Sequence, residues 1–319
     1  MKQILYFDWH SEASEFYRSM PLDYIKHNDF TITRSTDREI RSHTINFYDI
    51  IIVLRPSSDA HFSLMKMAKD LGKRLIIDWD DDALHLPDTN PMYGHYEESK
   101  QRTIKCLAMA DEVWVATGGI KKSFRLYNKN IHIIPNAYND IIFKHTPKFT
   151  YNKIALFRGG GSHVGDIYYP GTVEWIVKMM NKNKSWKWYW FGQDYEYIKY
   201  RHKWNNYYHN PGASTVQFYM LIHDTNASIF YYPLADNLFN RSKSNCSFIE
   251  SVSSGSAYFG MNEFPEFQKP GIMPLKDMPD IMKMPDVLEK MHKESWMYIQ
   301  DNLLLSSVNK LRLQRLLEI

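Results

Sequence analysis

Short apolar runs set the rhythm of the chain, alternating with segments whose apolar residues recur at helical spacing. Residues 4–7, 30–33, 49–54, 74–77, 112–116 and 131–134 read as strands. Between them, the stretch SEASEFYRSMPLDYIKHN, a segment carrying Leu64, Met67, Ala68 and Leu71, and residues 97–109 read as helices. DIIIVL at 49–54 is apolar without alternation, the pattern of a strand covered on both faces of a parallel sheet. Residues 135–152 have the Pro, Asn and Thr content of a linker, and a second alternating series follows. Its strands are expected at 153–157, 187–191, 228–232 and 257–260, and its helices at 172–180 and 243–254. From Val287 a long helical periodicity runs through Leu303, Leu304, Val308, Leu311 and Leu316. Parallel neighbours need crossover connections, so the pattern predicts an α/β chain with two doubly wound domains, 1–140 and 150–290. A C-terminal helix over 291–319 is expected to return to the first domain.

At 319 residues, 44% hydrophobic and 24% charged, the chain is globular and long enough for two cores. A net charge of +3 does not demand a nucleic-acid partner, so local charge must decide. Cys106 and Cys246 are the two cysteines, which excludes a disulfide framework and a thiolate metal site and fits a reducing cytoplasm. MKQILYFDWH enters a strand directly, and no run approaches the roughly 18 apolar residues of a membrane span, so a soluble cytoplasmic protein is expected. No HExxH or paired histidine spacing occurs, and no bound metal is expected.

Ligands of doubly wound sheets bind beyond the carboxyl ends of the strands, which places DWDDD, RGGGSH and FNRSKSN at a shared cleft. In FNRSKSNCSFIESVSSG, Ser242 and Ser244 suit the first turn of a helix starting at 243, where N–H groups and the helix dipole favour an anion. Lys243 adds a full charge there; Asn240 belongs to the same loop, and Glu250 lies two turns further along the same face. The bland alternative is a capped amphipathic helix with a solvated Lys and Glu. Gly159, Gly160 and Gly161 would let the backbone approach phosphates, with Arg158 as a cation and Ser162 as a donor; no GK[ST] follows, so the loop is not a P-loop. Asp80, Asp81 and Asp82 are crowded carboxylates, a setting that raises pKa toward general-base use, and Asp81 is the favoured base. Metal ligation by DWDDD, or simple capping of the next turn, are the competing readings. His163 could orient a phosphate or an acceptor, or be structural.

The order of these loops resembles the GT-B glycosyltransferases, nucleotide-sugar transferases with two facing Rossmann-like domains, within the GT4-like superfamily. IIPNAYN at 133–139 resembles the interdomain entry, and FNRSKSNCSFIESVSSG resembles the donor-binding signature. The resemblance implies that Glu250 holds a ribose while nearby basic and backbone donors hold a diphosphate; Tyr17 and Arg18, in the first loop or helix, could reach the donor from the opposite domain. The resemblance also implies a nucleotide-sugar substrate, with UDP as the expected nucleotide, and no resident cofactor. Where the family often carries a second Glu, this chain has Ser242. DWDDDALHLPDTNP and FRGGGSHVGD look like loops of small glycosyltransferases common in phages.

For the acceptor, Lys199, Arg201 and Lys203 alternate with Tyr197, Tyr200 and Trp204, and Lys182, Lys184 and Lys187 lie nearby in sequence. Cations neutralise phosphates and aromatics stack on exposed bases, which suggests a DNA-facing element; an amphipathic helix with solvated charges is the alternative. The leading acceptor is a 5-hydroxymethylpyrimidine base in phage DNA, extruded from the duplex before reaction. A transferase of surface polysaccharide or glycolipid synthesis, and a non-catalytic nucleotide-sugar or nucleic-acid binding protein, remain open.

Overall fold

The computed structural model describes residues 1–8, 12–36, 42–193 and 205–318. Among these, twelve strands form two six-stranded sheets whose neighbours are all parallel. The first sheet holds β1 (Lys2–Phe7), β2 (Phe30–Ser35), β3 (Ile50–Leu54), β4 (Arg74–Trp79), β5 (Glu112–Val115) and β6 (Ile131–Ile133), in the order β2-β1-β3-β4-β5-β6. All five residues of β3 are buried, because helices cover both faces of its sheet. The second holds β7 (Ile154–Gly159), β8 (Lys187–Gly192), β9 (Tyr207–Asn210), β10 (Ile229–Tyr231), β11 (Ala257–Gly260) and β12 (Met273–Pro274), in the order β12-β11-β10-β7-β8-β9.

Strand order reverses between β1 and β3 in one sheet and between β7 and β10 in the other. Chains leaving such neighbours diverge and open a crevice at the carboxyl edge. The ends of β1, β3, β7 and β10 are therefore where a site is built. Two such doubly wound sheets are what the alternating pattern foretold.

Several elements depart from the sequence reading. The first helix is only a set of short turns, Glu12–Ser14, a π-turn Glu15–Ser19 and a 3₁₀ turn Met20–Tyr24, because Pro21 cannot continue an α-helix. The helix expected to start at 243 begins at Cys246 and runs to Ser253, preceded by a separate turn, Leu238–Arg241. Strand β9 and helix Thr215–Thr225, capped by Ser214 and Gln217, were not anticipated.

The C-terminal periodicity is broken into two helices, Pro285–Asn302 and Leu305–Leu317. At the break, Tyr138 N–H donates to the Leu303 carbonyl and Leu305 N–H donates to the Tyr138 carbonyl, both at 2.8 Å. Leu288, Met291 and Ile299 of the first helix join the core of the second domain, whereas Leu305, Val308 and Leu316 pack with Ile4, Tyr6 and Ile52 of the first. The return to the first domain, expected at 291, takes place at Leu303–Leu305. No helix among the described residues is long and apolar enough to cross a membrane.

Candidate functional site

Two cavities lie where the sheets face each other. The larger, about 530 Å³, is walled on the first domain by Arg55, Trp79, Asp80 and Asp81, and on the second by Arg158, Ser162, His163, Tyr232, Lys243 and Ser244. The smaller, about 190 Å³, is lined by Gly159, Gly160, Phe191, Gly192, Phe218 and Glu250. Ala13, Tyr17 and Arg158 border both, so the two are compartments of one cleft.

Arg158 is the penultimate residue of β7, beside the strand reversal. Its guanidinium forks onto Glu250, Nε to Oε2 at 2.8 Å and Nη2 to Oε1 at 3.0 Å. Tyr17 of the first domain donates to the same Glu250 Oε1 at 3.0 Å and pairs with Tyr219 at 2.7 Å. Glu250 is 2% exposed, so its carboxylate is held by partners from both domains. Burial opposes charge on Arg158, but the Glu250 carboxylate outweighs it and raises the guanidinium further above its ordinary value.

Lys243 sits in the turn between Leu238–Arg241 and Cys246–Ser253. Its ammonium lies 4.6 Å over the Phe239 ring, and among the described residues it has no hydrogen-bond or carboxylate partner. Burial pushes its pKa down. A partly buried cation with no ion pair among the described residues, its charge offset only at longer range by Asp166 and Asp81, suits an anion in this concave wall, and the Arg158 guanidinium on the same wall strengthens it.

On the facing wall, Arg55 directly follows β3 with a left-handed backbone at φ 45°, a conformation unusual for a residue with a Cβ. It ion-pairs with Asp80 and, through Nη2, with Asp81 at 2.8 Å. Asp80 is therefore not raised as the crowding argument expected: burial raises it, but Arg55 overrides it and the net shift is downward. Asp82 turns away from the cavity to Ser123 at 2.9 Å and His85 at 2.9 Å, and its raised pKa comes from burial. Asp81, 36% exposed at its side chain, is the carboxylate most open to the cavity.

Between the phosphate-suited wall and β10 runs a buried chain. Tyr232 Oη is 2.9 Å from His163 Nε2, and His163 Nδ1 is 2.8 Å from Asp166 Oδ2. Asp166 Oδ1 accepts further bonds from Ala235 N–H at 3.0 Å and Asn240 Nδ2 at 2.6 Å. Burial, aided by the Lys243 charge, lowers His163 to about 4, so the ring is neutral.

Of the residues singled out from sequence, the cleft gathers Tyr17, Asp80, Asp81, Arg158, Gly159, Gly160, Ser162, His163, Lys243, Ser244 and Glu250. Others fall outside its lining. Arg18 is fully buried, ion-paired with Asp78 and donating to the Ile134 carbonyl at 2.6 Å, so it ties the linker to β4 rather than facing a donor. Asn240 is a partner of Asp166 and the Ala235 carbonyl. Ser242 closes the turn Leu238–Arg241 instead of opening the next helix, whose N-cap position is Asn245, and its carbonyl accepts from Thr117 Oγ1 at 2.8 Å across the domains. Gly161 also lies off the lining, and Asp82 is turned away as described. Lys199, Arg201, Lys203 and Trp204 lie outside the described residues.

Arg55, Asp166 and Tyr232 were missed. Arg55 carried a usable signal, as a cation directly after a buried strand and one loop from three aspartates. Asp166, in RGGGSHVGD, sits three residues after His163, the spacing at which neighbours on a helical turn meet. Tyr232 gave none, since an aromatic at a strand end is ordinary core. No group of three or more metal-ligating side chains that could hold a metal ion occurs among the described residues.

No protein-family model matches the chain. No curated protein matches it either. Solved structures do. An alpha-glucosyltransferase in complex with UDP and a 13-mer DNA containing an HMU base is similar over 98% of both chains, with a TM-score of 0.68 and 9% identity. HepE of Anabaena in complex with UDP is similar over 100% of both, with a TM-score of 0.65 and 9% identity. TarM is similar at a TM-score of 0.60 and 15% identity over 83% of this chain, which spans about half of TarM's length, 54%. The likeness is one of fold: the chain has the two-domain GT-B fold.

Proposed function

We propose that the protein is a glycosyltransferase that moves a sugar from a nucleoside diphosphate to an acceptor hydroxyl. The observation that carries this reading is the Lys243 ammonium, unpaired among the described residues, beside Arg158 in the cleft between the domains. Departure of a nucleoside diphosphate concentrates negative charge on its phosphate, and fixed cations there lower the barrier. The smaller compartment suits the nucleoside: Phe191 and Phe218 offer flat apolar surface, glycines leave room, and the Glu250 carboxylate can accept from paired ribose hydroxyls. A bound nucleoside would then compete with Tyr17 for Glu250. Asp81, across the larger compartment, is placed to take the acceptor's proton, with Arg55 orienting it.

The acceptor we favour is a 5-hydroxymethylpyrimidine in duplex DNA. Support comes from the basic, aromatic stretch 195–208 and from the similarity in fold, over nearly full length, to a glucosyltransferase bound to HMU-containing DNA. Incubation with UDP-sugars and duplexes with or without 5-hydroxymethyluracil, read by mass spectrometry, tests both parts. The expected result is the mass of one sugar residue, hexose or pentose or their derivative, added to the modified duplex alone. Transfer to glycans or lipid but not DNA would replace the acceptor. Neither transfer nor hydrolysis with any UDP-sugar would make the protein a binding module.

A further inference from the structure

The Tyr232–His163–Asp166 chain fixes the direction of every proton in it. Asp166 accepts from Ala235 N–H and Asn240 Nδ2 as well as facing His163, an arrangement for an ionised carboxylate with no proton to give. His163 Nδ1 must therefore carry the hydrogen in that contact. A neutral imidazole has only one, so Nε2 is an acceptor and the Tyr232 hydroxyl proton points at it. All three residues are at most 5% exposed, which leaves little freedom to rotate the chain the other way.

Tyr232 lines the larger cavity, and His163 Nε2 is its oxygen's one hydrogen-bond partner among the described residues. With its proton committed to His163, that oxygen has lone pairs and no donor for any group that reaches it from the cavity. A phosphate oxygen carries no proton at neutral pH and would meet it lone pair to lone pair. A sugar hydroxyl can donate to it. The wall thus has two chemistries: Lys243 and Arg158 attract anions, while Tyr232 accepts hydrogen bonds only.

We infer that Tyr232 Oη is the point at which the protein recognises a hydroxyl of the transferred sugar, with His163 and Asp166 as the positioning residues that hold it in its accepting state. The inference rests on the nucleotide-sugar reading above. Tyr232 follows β10 and His163 and Asp166 follow β7, so the chain spans the strand reversal on the wall that also carries Lys243 and Arg158. A group ester-linked to a diphosphate held there extends along that wall, while an acceptor arrives from the Asp81 side.

The test is calorimetry of the full chain and of Tyr232→Phe with UDP, GDP, ADP and dTDP, then with the glucose, mannose, galactose and N-acetylglucosamine esters of each nucleotide that binds. The expected result is equal affinity of both proteins for the bare nucleotide. At least one sugar ester should bind the native protein more tightly than its nucleotide, and Tyr232→Phe should lose about tenfold of that excess. Among monodeoxy analogues of that ester, one should lose about tenfold on the native protein and nothing on Tyr232→Phe. A variant that keeps the whole excess, or a native protein that gains nothing from any sugar, would overturn the inference alone. If no nucleotide binds, the donor reading falls and takes this inference with it.

Discussion

Arg158 and Glu250, 92 residues apart, meet in a two-nitrogen fork that joins the end of β7 to the buried helix Cys246–Ser253. Both groups belong to the proposed donor site, so the pair has to hold the domain together and still serve a ligand. Arg158→Ala removes the partner of a carboxylate that is 2% exposed. Loss of one member of a buried pair costs about 3 kcal/mol or more, and a large drop in unfolding midpoint is expected in urea titrations. Glu250→Gln keeps the shape and removes the charge. Its smaller stability loss should come with at least a tenfold fall in nucleotide affinity, and a variant that binds UDP normally would remove Glu250 from the site.

Lys243 should show the opposite balance. Its charge is partly desolvated, and Asp166 and Asp81 offset that only at longer range, with no ion pair among the described residues, so the fold gains little from it. Lys243→Met is expected to leave stability unchanged or raise it by up to about 1 kcal/mol. The same change should weaken UDP binding or turnover at least tenfold, the scale of a lost charge-assisted contact. Unchanged donor kinetics would show that the phosphates lie elsewhere.

Asp81 and Asp82 separate by geometry. Asp81→Asn should abolish transfer while donor binding persists, because Asp81 faces the cavity from the wall opposite Lys243. Asp82→Asn, with its side chain on Ser123 and His85, should leave transfer within about twofold of native, an effect of less than 0.5 kcal/mol on the barrier. Equal losses in both variants would reject Asp81 as the base.

The sheets were legible because their signal is local: five consecutive apolar residues at β3 leave no polar face, and strand–helix alternation then dictates parallel pairing. That Lys243, Arg158 and Gly159–Gly160 gather at one cleft was legible because ligand clefts of such sheets open beyond the strand ends. The edge strand β9 was hidden by its sequence, since Tyr207–Asn210 is polar and partly exposed and lacks the apolar alternation of a covered strand. The start of the helix at Cys246 slipped by three residues because Ser242 and Ser244 look like caps, whereas Ser242 is engaged with Thr117 of the other domain. Arg18 was misassigned for the same reason. Its partner Asp78 is 60 residues away, and such pairings have no local trace.

Acid should weaken the fold through His163. Its folded pKa of about 4 lies below the ordinary 6.5, mainly from burial and then from Lys243. The unfolded chain therefore binds the extra proton between these values and the native one resists it. Stability is fully present above pH 6.5 and is lost as pH falls toward 4, the sign expected for a depressed pKa. The His163 share of that loss is roughly 2 to 3 kcal/mol at pH 4.5, and Asp166, also depressed, adds a loss of the same sign at lower pH. Urea midpoints at pH 7 and 4.5 should differ accordingly, and His163→Gln should flatten the difference. A native protein with equal midpoints would show that His163 titrates normally.

Gly119 offers a way to perturb the cleft without touching its lining. It lies in the short helix Gly118–Phe124 of the first domain, and a Cβ built on it would stand 2.7 Å from the Cα of Ser242 in the second. Backbone cannot yield as a flexible side chain does, so Gly119→Ala should force the domains apart at this point. Helix propensity works the other way, since Ala is favoured over Gly by about 1 kcal/mol in a helix interior. The first domain should therefore stay folded while the approach of Ser242 is lost. Lys243 is the next residue, and its displacement from Arg55, Asp80 and Asp81 widens the cavity. Solution scattering should show a larger radius of gyration, and transfer should fall at least tenfold with UDP affinity reduced less, because the wall proposed to hold the phosphates belongs to one domain and the wall proposed for the acceptor to the other. Native scattering together with native turnover would show that the two domains do not need this contact to work.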